Sequence, residues 1–144
     1  MFQRILSGPS AAMQEIIYDM IKEPKPMGEI TYLLRAMKKM ELMARDVIRV
    51  KDFKVYVLNP MATSYWTLDT DKFTKTTERK THSIELGLCH IVFKSNQTLQ
   101  INSPTSDPRC NLEVDLKTDG KALICCPMRN PHGEPFAFIQ VSHC

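Results

Sequence analysis

The stretch that decides the fold is Ser103–Val141, SPTSDPRCNLEVDLKTDGKALICCPMRNPHGEPFAFIQV. It carries three signals in a fixed order. Asp107-Pro108-Arg109 is a turn that opens a short amphipathic helix, expected over about Pro108–Lys117. Asp107 can cap that helix, and Pro108 takes its first position, where the missing amide hydrogen costs nothing. Ala122–Met128 is next, an apolar run of strand length, and Asn130–Gly133 is a turn into a second apolar strand, Pro135–Ser142. In that last strand Phe136, Phe138 and Gln140 alternate with Ala137, Ile139 and Val141. Both faces lean apolar, the pattern of a central strand covered from two sides.

Further toward the N-terminus, Val47–Leu58 is rich in Val, Phe and Tyr and is ended by Asn59-Pro60, which predicts a strand with Ser64–Leu68 as its hairpin partner. Asp69–Thr81 is polar and threonine-rich, with no periodicity beyond Phe73, and is expected to be a long surface connection. Ser10 suits the cap of a helix over Ala11–Lys22, in which Ala12, Met13, Ile16, Ile17, Met20 and Ile21 recur at helical spacing before Pro24 and Pro26 stop it. A second helix is expected over Gly28–Asp46. Its broad apolar face includes Met37, Met40 and Met43, an adaptable surface. Packing against a sheet covers part of that face, and the remainder predicts a homodimer formed through the N-terminal helices. Strands and helices in this order make an α+β domain, an antiparallel sheet with helices packed on it.

Composition narrows the function. At 144 residues the chain is read as one domain over 1–144, with a helical part at 1–46 and a sheet-bearing part at 47–144. A hydrophobic content of 43% and a charged content of 24% are those of a globular protein. The net charge of +3 is too mild to argue for nucleic acid, and the densest basic spots, Lys38-Lys39 and Arg79-Lys80, read as solvated faces. No apolar run approaches the roughly 20 residues of a membrane span. No apolar segment before Gly8-Pro9 suggests a secretory signal. The five cysteines lack framework spacing, and Cys125 and Cys126 are adjacent, so free thiols in a reducing cytoplasm are expected. His82, Cys89 and His90 have no C-x-x-C to complete a metal site. Neither a G-x-S-x-G elbow nor a phosphate-cradling glycine loop occurs. Trp66, beside Tyr65, reads as a core or sheet-face aromatic rather than a stacking platform.

Asp107-Pro108-Arg109, Asn111, Glu113-Val114-Asp115 and Thr118 are followed by Cys126-Pro127-Met128 and then by Asn130, Gly133-Glu134 and Gln140-Val141. Together they resemble the C-terminal half of a GAF domain of the phosphodiesterase branch, where DPR-x-N-x-EVD-x-x-T precedes a C-x-P-[IM] strand and an N-x-x-G-E-x-x-x-x-x-Q-[VL] hairpin. Ile84–Phe93 is similar to that family's short G-[IV]-x-G helix, and Leu99–Ile101 to the strand that follows. GAF domains are small-molecule-sensing modules of signalling proteins. The resemblance implies a sheet with the N-terminal helices on one face and, on the other, a ligand pocket under a lid of loops and short helices. Carried over by position, the ligand contacts are Ile84, Gly87, Leu88, Cys89, His90, Ser103, Asp107, Arg109, Cys110, Asp115, Thr118, Ile124 and Cys126.

The departures from the family pattern are specific. Cyclic-nucleotide-binding members carry an Asn-Lys pair before the glycine segment, which here reads Glu85-Leu86, and a Phe after the DPR turn, which here is Cys110. The second glycine of the segment is His90. The family's lysine pairs with the carboxylate that Asp115 resembles, so with Leu86 in its place Asp115 is expected in solvent, or held by Arg109 or Lys121. The resemblance therefore implies a non-catalytic regulatory module, a piece of a longer protein, with no cofactor and a degenerate cyclic-nucleotide signature. It senses a small ligand, transmits a dimerisation state, or both. Two other functions compete with it. One is a protein-interaction scaffold whose pocket is filled by side chains. The other is a free methionine sulfoxide reductase, a GAF-fold enzyme with cysteine nucleophiles. Cys89, Cys110, Cys125 and Cys126 raise it, with His90 beside Cys89 and Arg109 near Cys110 as groups that can lower a thiol pKa, while the flanking residues lack that enzyme family's pattern.

Overall fold

The computed structural model describes residues 14, 15, 18, 50–70, 73–118 and 121–143. The described strands are β1 (Val50–Leu58), β2 (Ser64–Thr70), β3 (Thr77–Ser83), β4 (Leu99–Ile101), β5 (Leu123–Arg129) and β6 (Pro135–His143), and helix α1 (Gly87–Ser95) lies between β3 and β4. They form one six-stranded sheet in the order β3-β2-β1-β6-β5-β4, antiparallel throughout. The longest strands, β1 and β6, pair in register from Phe53 opposite Val141 to Val57 opposite Ala137. This central pair closes the sheet between segments far apart in sequence.

Side chains alternate between the faces of a strand, and each face here has its own core. One is built by Val55, Val57, Trp66, Ile124, Cys126, Met128, Ile139 and Val141. Tyr18 packs against it, its ring edge-on to Phe136 with centroids 4.9 Å apart. The other holds Tyr56, Tyr65, Leu123, Cys125 and Phe138 against Leu88, Cys89 and Val92 of α1. The doubly apolar pattern of β5 and β6 thus corresponds to cover on both sides. Trp66 is core, with the Arg79 guanidinium 4.1 Å over its ring. Among the described residues no helix is long and apolar enough to cross a membrane.

Both ends of α1 are tied down. At its C-terminus Asn96 adopts the left-handed conformation, φ 54°, and returns its amide to the Val92 carbonyl at 2.8 Å. The Asn96 side chain donates to the Gly133 carbonyl at 3.0 Å, while Arg129 donates to the Asn96 side-chain oxygen at 2.8 Å and to its carbonyl at 2.5 Å. The β5–β6 hairpin therefore holds one end of the helix.

Three expected elements differ. Asp69–Thr81 is not a simple connection, because its second half is in β3, paired along its length with β2. That edge strand is solvent-facing over most of its length, so it carries no apolar alternation from which a strand could be read. Pro108–Lys117 is a series of turns rather than a helix. Its amides are diverted: Arg109 N–H goes to the Asp107 carboxylate at 2.9 Å, Glu113 N–H to the Asn111 side chain at 3.0 Å, and Asn111 N–H to Asp115 at 2.8 Å. Short polar side chains that capture nearby amides compete with the helical ladder in this way. The short helix begins at Gly87 rather than Ile84. Gln14, Glu15 and Tyr18 are helical, and the rest of the expected Ala11–Lys22 and Gly28–Asp46 helices lies outside the described residues.

The two-sided core sets a stability expectation. Phe138 is fully buried on a central strand, so Phe138→Ala should lower stability by about 3–5 kcal/mol in urea unfolding. Phe73→Ser, at a ring that is 95% exposed, should change it by less than about 0.5 kcal/mol. Equal effects at the two positions would contradict this assignment of the core.

Candidate functional site

The chemistry-bearing side chains converge where α1 begins. A helix starts with amides that have no partner inside it, and Leu86, in the N-cap position, supplies no side-chain acceptor. Asp115 does so from the neighbouring turns: both of its carboxylate oxygens lie 3.1 Å from the Leu88 amide nitrogen. The same carboxylate accepts from Asn111 N–H at 2.8 Å and from Gln140 Nε2 at 2.8 Å. Gln140 uses its remaining oxygen to accept Leu116 N–H at 2.8 Å. Asp115 is only 4% exposed. Among the described residues no lysine or arginine makes an ion pair with it.

This overturns the expectation of an exposed Asp115, or one held by Arg109 or Lys121. Amide donors and the positive end of the helix dipole, rather than a cationic side chain, compensate the carboxylate. Arg109 is committed elsewhere, to Asp107, through Nε at 3.0 Å and Nη2 at 2.8 Å. Those hydrogen bonds hold the Asp107 carboxyl down at about 2.

Two tyrosines fasten this junction to the sheet. Tyr65 donates to the Leu86 carbonyl at 2.7 Å and Tyr56 to the Val114 carbonyl at 2.7 Å. Burial pushes both phenols above their ordinary value, so both remain donors. The close approach needs Gly87, whose φ is +76°: a Cβ there would lie 2.9 Å from Asp115 Oδ1 and 2.9 Å from the Tyr65 hydroxyl.

The thirteen expected contact residues do not surround one cavity. Leu88 and Cys89 point into the buried core beneath α1, with Ile84 packed at its margin. Ile124 and Cys126 belong to the opposite face of the sheet. The residues of β5 that face α1 are Leu123 and Cys125, one position away, which on a strand means the other side. Ser103 is exposed in a turn, and Thr118 donates to the Lys121 carbonyl at 3.1 Å. Gly87, His90, Arg109 and Cys110 line an open groove of about 620 Å³ outside the helix, along with Glu85, Leu86, Ile91, Leu112 and Glu113. Gln140, Tyr56 and Tyr65 were not anticipated as site residues. A glutamine in the middle of an apolar strand was the available signal for the first.

Cys89, Cys110, Cys125 and Cys126 are free thiols. Burial, and then the adjoining Cys125 thiol, push Cys89 well above the ordinary thiol value. Burial and the Asp115 carboxylate push Cys110 up to about 11, and burial pushes Cys126 up to about 12. Thiolate nucleophiles need the opposite shift. Among the described residues no group of His, Cys, Asp and Glu is arranged to hold a metal ion.

No protein-family model matches the chain, and no curated protein matches it. Solved structures do. The GAF domain of a phosphoenolpyruvate-protein phosphotransferase from Coxiella burnetii is 10% identical, with a TM-score of 0.60, over 92% of this chain and 76% of that one. The A. aeolicus nlh2 GAF domain in an inactive state is 12% identical, with a TM-score of 0.56, over 90% and 76%. A type II free methionine-R-sulfoxide reductase from Thermoplasma acidophilum is 14% identical, with a TM-score of 0.54, over 91% and 77%. At these identities the likeness is one of fold, and the fold is that of GAF domains.

The buried junction makes a prediction. Asp115→Asn replaces an acceptor oxygen by an NH2 group that must face the Leu88 or Asn111 amide, itself a donor. The loss should be roughly 2–4 kcal/mol in urea unfolding. A change below about 0.5 kcal/mol would show that the network carries little of the stability.

Proposed function

We propose that this chain is a non-catalytic regulatory module, a degenerate member of the phosphodiesterase-like branch of GAF domains, which acts through protein contacts rather than by enclosing a cyclic nucleotide. One observation carries this reading. The space between the sheet and α1, where the family resemblance would put a ligand, is occupied by Tyr56, Tyr65, Leu88, Cys89, Val92, Leu123, Cys125 and Phe138, all fully buried and packed on one another. The departures at Glu85, Leu86, His90 and Cys110 agree with it, since the residue types that hold a cyclic nucleotide's lid are absent. Small-ligand sensing is the second reading, favoured by the open groove at Gly87, His90 and Cys110.

The reductase function fits less well. Its support is a neighbour alike in fold at 14% identity, while the thiols of Cys89, Cys110 and Cys126 are all shifted away from nucleophilicity. Free thiols support a cytoplasmic setting. Homodimerisation through the N-terminal segment is part of the proposal, resting on the Met37, Met40 and Met43 face.

Calorimetry with cyclic GMP and cyclic AMP tests the main reading. No binding heat is expected, and a dissociation constant near ~1 μM, about −8 kcal/mol, would overturn it. For the dimer, sedimentation of the Met37→Glu/Met40→Glu variant should show a folded monomer where the parent chain is a dimer. A parent chain that is monomeric at high concentration removes that part of the proposal.

A further inference from the structure

The groove outside α1 has a composition of its own. Leu86 is 43% exposed and Leu112 59% exposed, and both line it although they come from separate segments. Among the described residues, the other large exposed apolar side chains, Met61 and Phe73, do not line it and lie in the loops that follow β1 and β2. Ile91 adds a half-buried apolar surface to the lining. Glu85 and Glu113 also line the groove, both exposed, and neither makes an ion pair among the described residues. The cation present, Arg109, is neutralised by its paired bonds to Asp107. A chain with a net charge of +3 thus gathers apolar surface and uncompensated negative charge in one groove.

The walls of that groove are fixed. One is the first two turns of α1 with the residues before them, the other the turns from Pro108 to Glu113. The Asp115 carboxylate joins the two through Leu88 and Asn111. An occupant would not have to order the groove before binding, which removes one of the usual penalties of association.

We propose that this groove docks a basic amphipathic peptide segment of a partner protein, with an apolar side chain seated between Leu86 and Leu112 and cationic side chains on Glu85 and Glu113. The inference rests on the reading of the domain as a protein-contact module and gives that reading a surface. Charge complementarity selects the partner: opposite potentials across an interface favour encounter and exclude partners of like charge.

The test titrates the isotope-labelled chain with a synthetic Leu/Lys amphipathic peptide and, separately, with its Leu/Glu counterpart, followed by amide chemical shifts and calorimetry. The Leu/Lys peptide should shift the amides of Leu86–Ile91 and Cys110–Glu113, and the Leu/Glu peptide should not. Leu112→Ser, and separately the pair Glu85→Lys/Glu113→Lys, should weaken binding by about tenfold or more while leaving Tm unchanged, because these side chains are exposed. Added salt should weaken the interaction of the parent chain. The proposal is overturned if the Leu/Lys peptide does not bind, if it shifts amides elsewhere, if it binds the variants as tightly as the parent, or if the Leu/Glu peptide binds equally well. It is overturned too if Leu112→Ser dissociates a dimer of this chain, because the occupant is then a second copy. The protein-contact reading itself fails on a different result, cyclic-nucleotide binding.

Discussion

The arrangement of the site depends on one buried carboxylate. Asp115 brings a negative charge into the core, where an unpaired charge is costly, and its compensation comes from N–H groups of Leu88, Asn111 and Gln140. Hydrogen bonds to a charged acceptor contribute more than neutral ones, and the start of a helix adds a favourable dipole. The same contacts join three parts of the chain: the first turn of α1, the turns after Pro108, and central strand β6. Gly87 lets the backbone come close enough, and Tyr56 and Tyr65 fasten both segments to the sheet. Changing Asp115 therefore disturbs a junction rather than a single bond.

That junction bears directly on function. A lid held by one lysine–carboxylate pair could open by breaking that pair. Here the start of α1 and the turns after Pro108 are held by several short bonds and by a core that continues beneath α1. Binding energy from a small ligand would have to replace both the hydrogen bonds and the apolar packing of Leu88, Cys89 and Val92. Surface contacts face no such requirement, which is why the proposed docking is assigned to the groove outside the helix.

Much of this was legible in the sequence, for physical reasons that differ by element. The central strands stand out because each needs apolar residues on both faces, and Ala122–Met128 and Pro135–Ser142 show that pattern openly; the structure has them as Leu123–Arg129 and Pro135–His143. Strand β3 was missed because an edge strand in water has no apolar face to display. The Pro108–Lys117 segment was misread because its spacing suits a helix, while Asp107, Asn111 and Asp115 take the amides a helix would need. Ile124 and Cys126 were carried over by motif position, and the parity of the strand places them on the other face. Gln140 belonged to the recognised pattern, but that it would satisfy a buried carboxylate depends on a contact between residues far apart in sequence.

Native-state hydrogen exchange of two amides tests the account most directly. If the Asp115 carboxylate pins α1 to the turns and the sheet, the Leu88 and Asn111 amides should exchange as slowly as those of β5, through global unfolding. Exchange of both amides at the rate of the exposed loop around Thr74–Thr76, with β5 still protected, would show that this junction opens freely and contradict the account.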